Sequence, residues 1–313
     1  MIEVRRDQSR DLKNEYQVSQ YDADFLFQNS LVLIDHGDYE MALNLIEVVI
    51  GENSNHAEAI RWKGYCLKQT GKMELAAQEY LKVAHINPGE TSFFEVAECF
   101  YAVGHDDLAK EYYNRALDII DYDSPHLFHI YKKLGNLSVK TLDFDSAEEY
   151  YNKAYIQNNH SDDLFVNYGT LEIQKENYDV AIDRFKQALD LNKNNEKAWV
   201  GLGLIYRAKG DFDLSWAELK HALDLNPYNP TAIKLCVDWS LQEMEYDFAI
   251  EVLEKFLNKD SSSVDWMYTY AGLLFKAGDW KKTKTMCQFI LAKNPGYSAA
   301  MDLYKIASKK VNN

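Results

Sequence analysis

An all-α solenoid of stacked helix pairs is the fold this sequence predicts, and three observations predict it. The first is a fixed period. Turn triplets recur as Gly37-Asp38-Tyr39, Gly71-Lys72-Met73, Gly104-His105-Asp106, Leu142-Asp143-Phe144, Glu176-Asn177-Tyr178, Gly210-Asp211-Phe212, Met244-Glu245-Tyr246 and Gly278-Asp279-Trp280. Three residues after each triplet stands Ala42, Ala76, Ala109, Ala147, Ala181, Ser215, Ala249 or Thr283, at steps of 34, 33, 38, 34, 34, 34 and 34. The second is a bulky residue four places beyond the small one, as at Tyr80, Tyr113, Tyr151 and Phe185, which puts both on one helical face. The third is the lack of strand-like alternation between copies. Such a period means one supersecondary unit copied along the chain. No unit can bury its apolar face alone, so the copies must stack.

The copies run 23–56, 57–89, 90–123, 128–161, 162–195, 196–229, 230–263 and 264–297. In the first helix of a copy, Gly64, Gly135, Gly169 and Gly203 recur where a neighbour must approach closely. The alanines above do the same for the second helix. Pro88, Pro227 and Pro295 end second helices, because proline cannot continue the hydrogen-bond ladder. Between the third and fourth copies Ser124-Pro125-His126-Leu127 adds four residues of linker, which either extend the loop or alter the angle between the halves. In the seventh copy Val237 takes the glycine slot, and in the eighth Thr283 and Cys287 replace the alanine and the aromatic, as terminal units allow. Residues 298–313 predict a C-terminal capping helix from Ser298, its expected N-cap, to about Lys309. Residues 1–22 lie outside the repeat and read as a polar tail or a short capping segment.

The sixth copy shows the pattern most fully: Trp199-x2-Leu202-Gly203-x2-Tyr206, then Ser215-x3-Leu219, Ala222 and Pro227. This resembles the tetratricopeptide repeat in residue type and spacing. The resemblance covers residues 23–297 as eight copies and implies a right-handed α-α superhelix, with the first helix of each copy lining the inner wall.

Composition narrows the function. The net charge is −15, from 34 Lys and Arg against 49 Asp and Glu, which disfavours nucleic acid and anionic membrane. No apolar run approaches the roughly 18 residues of a membrane span, and no apolar leader follows Met1. A cytoplasmic protein is the expectation. Cys66, Cys99, Cys236 and Cys287 fall on packing slots and read as buried, reduced thiols. No Gly-x-Ser-x-Gly, His-Glu-x-x-His or Gly-x-Gly-x-x-Gly element occurs, and the stretch from Gly64 to Lys72 is too long between its glycines for a phosphate loop. Neither a catalytic residue, a cofactor nor a metal is expected. Of the eight histidines only His129 points where a ligand would sit.

The inner wall therefore carries the chemistry. In the fourth to sixth copies Lys132, Lys133, Lys140, Lys197 and Arg207 face one acid, Asp163, a local surplus of positive charge that would attract an anionic segment. The pattern resembles the carboxylate clamp with which some tetratricopeptide cochaperones hold the acidic C-terminus of a chaperone. Lys132, Asn136, Asn167 and Lys197 fit it in type and spacing, while Gly201 stands where its arginine belongs, leaving Arg207 or Lys133 as stand-ins. A second candidate is aromatic: Phe27, Trp62, Tyr65, Phe94 and Tyr101, interleaved with Glu58, Glu95 and Glu98 in the first three copies. Half of these rings tucked into the core is the competing reading. The expected function is a non-enzymatic adaptor that binds a protein or peptide segment, acidic or C-terminal, in the groove. A self-assembling scaffold, with homo-oligomers, and the regulatory subunit of an enzyme complex stay open as rivals.

Overall fold

Glycine at the turn and alanine in the helix are what let each unit close. In the computed structural model, which describes residues 22–311, the chain between Ile34 and Tyr39 reverses in a few residues. That reversal needs one residue in the left-handed region, and Gly37 supplies it at φ 79°, as Gly104 does at φ 80° in its own turn. Three turns meet the same need without glycine: Leu142 and Glu176 sit at φ 59° and Met244 at 61°. These are the three triplets in which the sequence departs from glycine.

All described secondary structure is helical, and the chain divides into two compact units after Asn158. The first unit pairs α1 (Ala23–Asp35) with α2 (Tyr39–Glu52), α3 (Ala57–Gln69) with α4 (Met73–Ile86), α5 (Glu90–Val103) with α6 (Asp106–Leu117), and α7 (Leu127–Lys140) with α8 (Phe144–Gln157). The second pairs α9 (Asp162–Gln174) with α10 (Tyr178–Leu191), α11 (Glu196–Ala208) with α12 (Phe212–Leu225), α13 (Pro230–Glu243) with α14 (Asp247–Lys259), and α15 (Val264–Lys276) with α16 (Trp280–Lys293). Helix α17 (Ser298–Val311) then packs on α16 and α15. Its buried Ala300 and Ala307 let it lie close, so the last pair is covered as a cap requires. Ser298 is already inside the helix; Tyr297 holds the capping position, its carbonyl accepting from Met301 N at 3.2 Å. Of the N-terminal segment 1–22, all but Asp22 lies outside the described residues. The Asp22 carboxylate caps α1.

Each helix pair is knitted by its small-residue slot. Ala42, Ala76, Ala109, Ala147 and Ala181 are fully buried, as are Ser215, Ala249 and Thr283. Four residues on, Tyr80, Tyr113, Tyr151, Phe185 and Leu219 are buried too. Gly64, Gly135 and Gly169 of the first helices accept these rings. A Cβ at Gly135 would lie 2.3 Å from Tyr151, and one at Gly169 would lie 2.7 Å from Phe185. The added linker, in the first unit, is tied down: Ser124 donates to Glu90 at 2.9 Å, His126 stacks on Phe94 at 4.3 Å, and Leu127 is buried. The four cysteines are buried and unpaired, as their packing slots imply.

Candidate functional site

In the first unit the sequence-predicted candidates lie on α1, α3, α5 and α7, the first helices of its four pairs. Trp62 and Tyr65 stand one turn apart on α3, their rings edge-on at 5.4 Å, and Tyr39 at the start of α2 meets Tyr65 at 6.3 Å. From the same helix Arg61 Nε donates to Glu95 Oε2 on α5 at 3.0 Å. With Leu31, Ile34, Asp35 and Tyr80 these groups line a cavity of about 590 Å³. Burial raises the Glu95 carboxyl above its ordinary value, and Arg61 works against that rise. Burial, reinforced by Glu95, holds the Tyr80 phenol far above its usual range. The cavity thus combines aromatic faces, a protonated phenol and two acids with a single guanidinium.

Only part of the aromatic strip reaches this surface. Phe27 is 6% exposed, packed among the core of the first pair with its ring 5.2 Å from His56, so it is a core residue. Phe94 is covered by His126. Tyr101 carries Lys133 Nζ over its face at 4.0 Å and accepts from Asn136 Nδ2 at 3.2 Å. Trp62 and Tyr65 are the two that remain half-buried and turned to the cavity.

The basic stripe is also more engaged than residue counting implies. On α7, Asn136 uses both ends of its amide within the fold, because its Oδ1 accepts from Tyr151 Oη at 2.8 Å. Lys132 lies over the Phe128 ring at 5.3 Å, and Lys140 pairs with Asp106 at 2.8 Å. His129, the one histidine singled out, packs edge-on against Phe128. In the second unit Lys197 pairs with Asp163 at 3.1 Å, and Asn167 sits half-buried on α9. Arg207 is bound to Glu243 and to Gln242, and its guanidinium lies over Phe212 at 4.6 Å and Trp239 at 5.0 Å. The surplus of bases is therefore corrected: acids outside the counted slots neutralise Lys140 and Arg207. Gly201 cannot be replaced by the arginine that the clamp would want, since even a Cβ there would lie 2.3 Å from Phe185.

A signal in the sequence could have found these partners. Arg61 and Glu95, Asp106 and Lys140, and Asp163 and Lys197 are each separated by 34 residues, and Asp163 and Lys197 occupy the same slot of consecutive copies. Equivalent positions in consecutive copies lie side by side, so opposite charges one period apart fall within reach of each other. Among the described residues no group of three or more His, Cys, Asp or Glu side chains could hold a metal ion. No described helix is long and apolar enough to cross a membrane.

Comparison with known proteins agrees with this architecture. A tetratricopeptide-repeat family model matches residues 27–91 and 166–230. No curated protein sequence matches the chain. Among solved structures, yeast Tom70 is similar at 16% identity and a TM-score of 0.67, covering 95% of this chain and 65% of that one. The pilF protein of Pseudomonas aeruginosa is similar at 16% identity and a TM-score of 0.55, covering 69% of this chain and 97% of that one. PilW, a type IV pilus biogenesis factor, is similar at 15% identity and 0.58, covering 71% and 99%. At these identities the likeness is one of fold. Period, buried small-residue slots and the family-model match at residues 27–91 and 166–230 agree on the architecture of a tetratricopeptide-repeat solenoid.

Proposed function

We propose that this chain is a non-enzymatic adaptor that holds a segment of a protein partner against the first-helix wall of its first unit. The observation that carries the reading is the cavity beside Trp62 and Tyr65, where two half-buried aromatic rings stand next to hydrogen-bonding groups. Such a mix suits an anchoring side chain: the rings supply contact area at low entropic cost and the polar groups fix orientation. The basic stripe is the weaker seat, because an incoming carboxylate would have to displace Asp106, Asp163 or Glu243 from their bases. A net charge of −15 supports protein over nucleic acid as partner. Four unpaired thiols support a reducing compartment such as the cytoplasm.

Site-specific crosslinking tests the proposal. A photo-crosslinking phenylalanine analogue at position 62 should trap a discrete segment of the native partner, and Trp62→Ala should weaken binding of that partner about tenfold or more. A partner indifferent to Trp62→Ala but lost from the Lys132→Glu/Lys197→Glu variant would move the seat to the basic stripe and overturn the reading.

A further inference from the structure

We infer that the first-unit cavity takes a cationic side chain, a lysine or arginine carried by an extended basic segment of the partner. This rests on the reading that the cavity is the binding seat, and adds the chemistry of its occupant. Three observations carry it. The first is the lining: Tyr39, Trp62 and Tyr65 form a continuous run of rings, and an aromatic face attracts cations and repels anions. The second is the count of charges at the cavity. Among the lining groups Asp35 and Glu95 stand against Arg61, with Lys68 outside the lining also acting on Glu95, and Arg61 is already committed to Glu95 through Nε. A carboxylate offers about four acceptor sites, and this bond uses one of them, on Oε2. Glu95 thus keeps Oε1 for an incoming donor, while Arg61 holds it in place. The third is the field around the cavity. Residues 22–158 hold 11 Lys and Arg against 23 Asp and Glu, a net −12, whereas residues 159–311 hold 19 against 22, a net −3. The unit that contains the cavity therefore carries most of the chain's negative charge and would steer a basic segment towards it. A volume of about 590 Å³ accommodates one long side chain and its flanking backbone.

Fluorescence anisotropy with the full chain and three labelled probes, hexa-arginine, hexa-lysine and hexa-glutamate, tests the inference. The two basic peptides should bind and the acidic one should not. Both Trp62→Ala and Glu95→Gln should weaken the basic peptides by about tenfold, the size of one desolvated cation–π or charge-assisted contact. The Glu52→Gln/Glu74→Gln variant, which removes two exposed acids of α2 and α4, is the control for diffuse attraction and should shift binding little. Helical circular dichroism of each variant establishes that it is folded, and Trp62→Phe should restore part of the loss. If hexa-glutamate binds in a Trp62-dependent way, the cavity remains the seat but its anchor is Arg61 and the cationic inference falls. If basic peptides bind equally to Trp62→Ala, Glu95→Gln and the control, the attraction is general and the inference falls with it. Failure of all three probes to bind overturns it as well, while the crosslinking at position 62 still judges the seat on its own.

Discussion

At Gly135 and Gly201 the absence of one carbon decides the packing. Each sits under a ring of a neighbouring helix, Tyr151 for the first and Phe185 for the second, at a distance no Cβ tolerates. Gly135→Ala should destabilise the protein by about 1–3 kcal/mol in denaturant unfolding, because the ring or the helix must move. Gly201→Arg should be at least as damaging, and it should create no acidic-peptide site. Combining it with Phe185→Leu should recover part of the stability, which a double-mutant cycle would reveal. The buried thiols give a second prediction at this scale. Burial pushes Cys66, Cys99 and Cys287 from 9.0 up to about 11, and Cys236 up to about 12. Thiol reagents should therefore label the folded chain slowly and the denatured chain fast. The sign for stability follows from the same shift. Below pH 9 the thiols are protonated in both states and the stabilisation is fully present. As pH rises from about 9 towards 11–12 the unfolded state ionises first, so the contribution is lost. Denaturation midpoints measured from pH 8 to 11 should fall, and less steeply for Cys236→Ala.

Among elements, the turns between paired helices carry a sharper test. Leu142, Glu176 and Met244 hold a backbone conformation that side chains with a Cβ adopt only at a penalty of roughly 1–2 kcal/mol. Replacing each with glycine should relieve that strain, offset in part by the greater freedom of the unfolded chain. The expected net gain is about 0.5–1 kcal/mol per turn, read as a rise in melting temperature. The same substitution at Asp143 or Asn177, one residue along and outside the left-handed region, should bring no gain. These helices and turns were legible in the sequence because spacing alone dictates them: a small residue, a ring four places on, a turn. The wall's chemistry was less legible. Phe27 and Trp62 both fall on first-helix slots of the repeat, yet one is core and the other lines a cavity, a distinction set by what the adjacent helices place beside them. For Lys140 and Arg207 the charge is plain in the sequence, but their partners come from neighbouring elements, Asp106 at the start of α6 and Glu243 at the end of α13.

Over the molecule as a whole, the division after Asn158 is the feature with a direct consequence. Asn158, Asn159 and His160 are exposed between α8 and α9, and each side of them is a compact unit with its own buried clusters. Contacts within repeats and between neighbours supply most of the stability of such a chain, so opening need not be all-or-none. Limited thermolysin digestion should cut first near 157–161 and leave two resistant fragments, each nearly half the chain. Initial cleavage inside α4 or α12, with no stable half surviving, would contradict that division. The uneven charge makes a companion expectation: on anion exchange the N-terminal fragment should elute at higher salt than the C-terminal one.

The links one period apart also act as a ruler on the gene. Asp163 meets Lys197 only because 34 residues, the step between their copies, separate them. Loss or duplication of a whole copy re-creates a neighbour at the same distance, so that kind of editing preserves the pairing. Gain or loss of a few codons inside a helix turns every later side chain by about 100° per residue and parts the charges. Length in this chain is therefore free to vary in steps of one repeat and is resisted in smaller ones. The added Ser124–Leu127 stretch falls between α6 and the first residue of α7 rather than inside a helix, and Lys140 still meets Asp106 although the two occupy different slots of their copies.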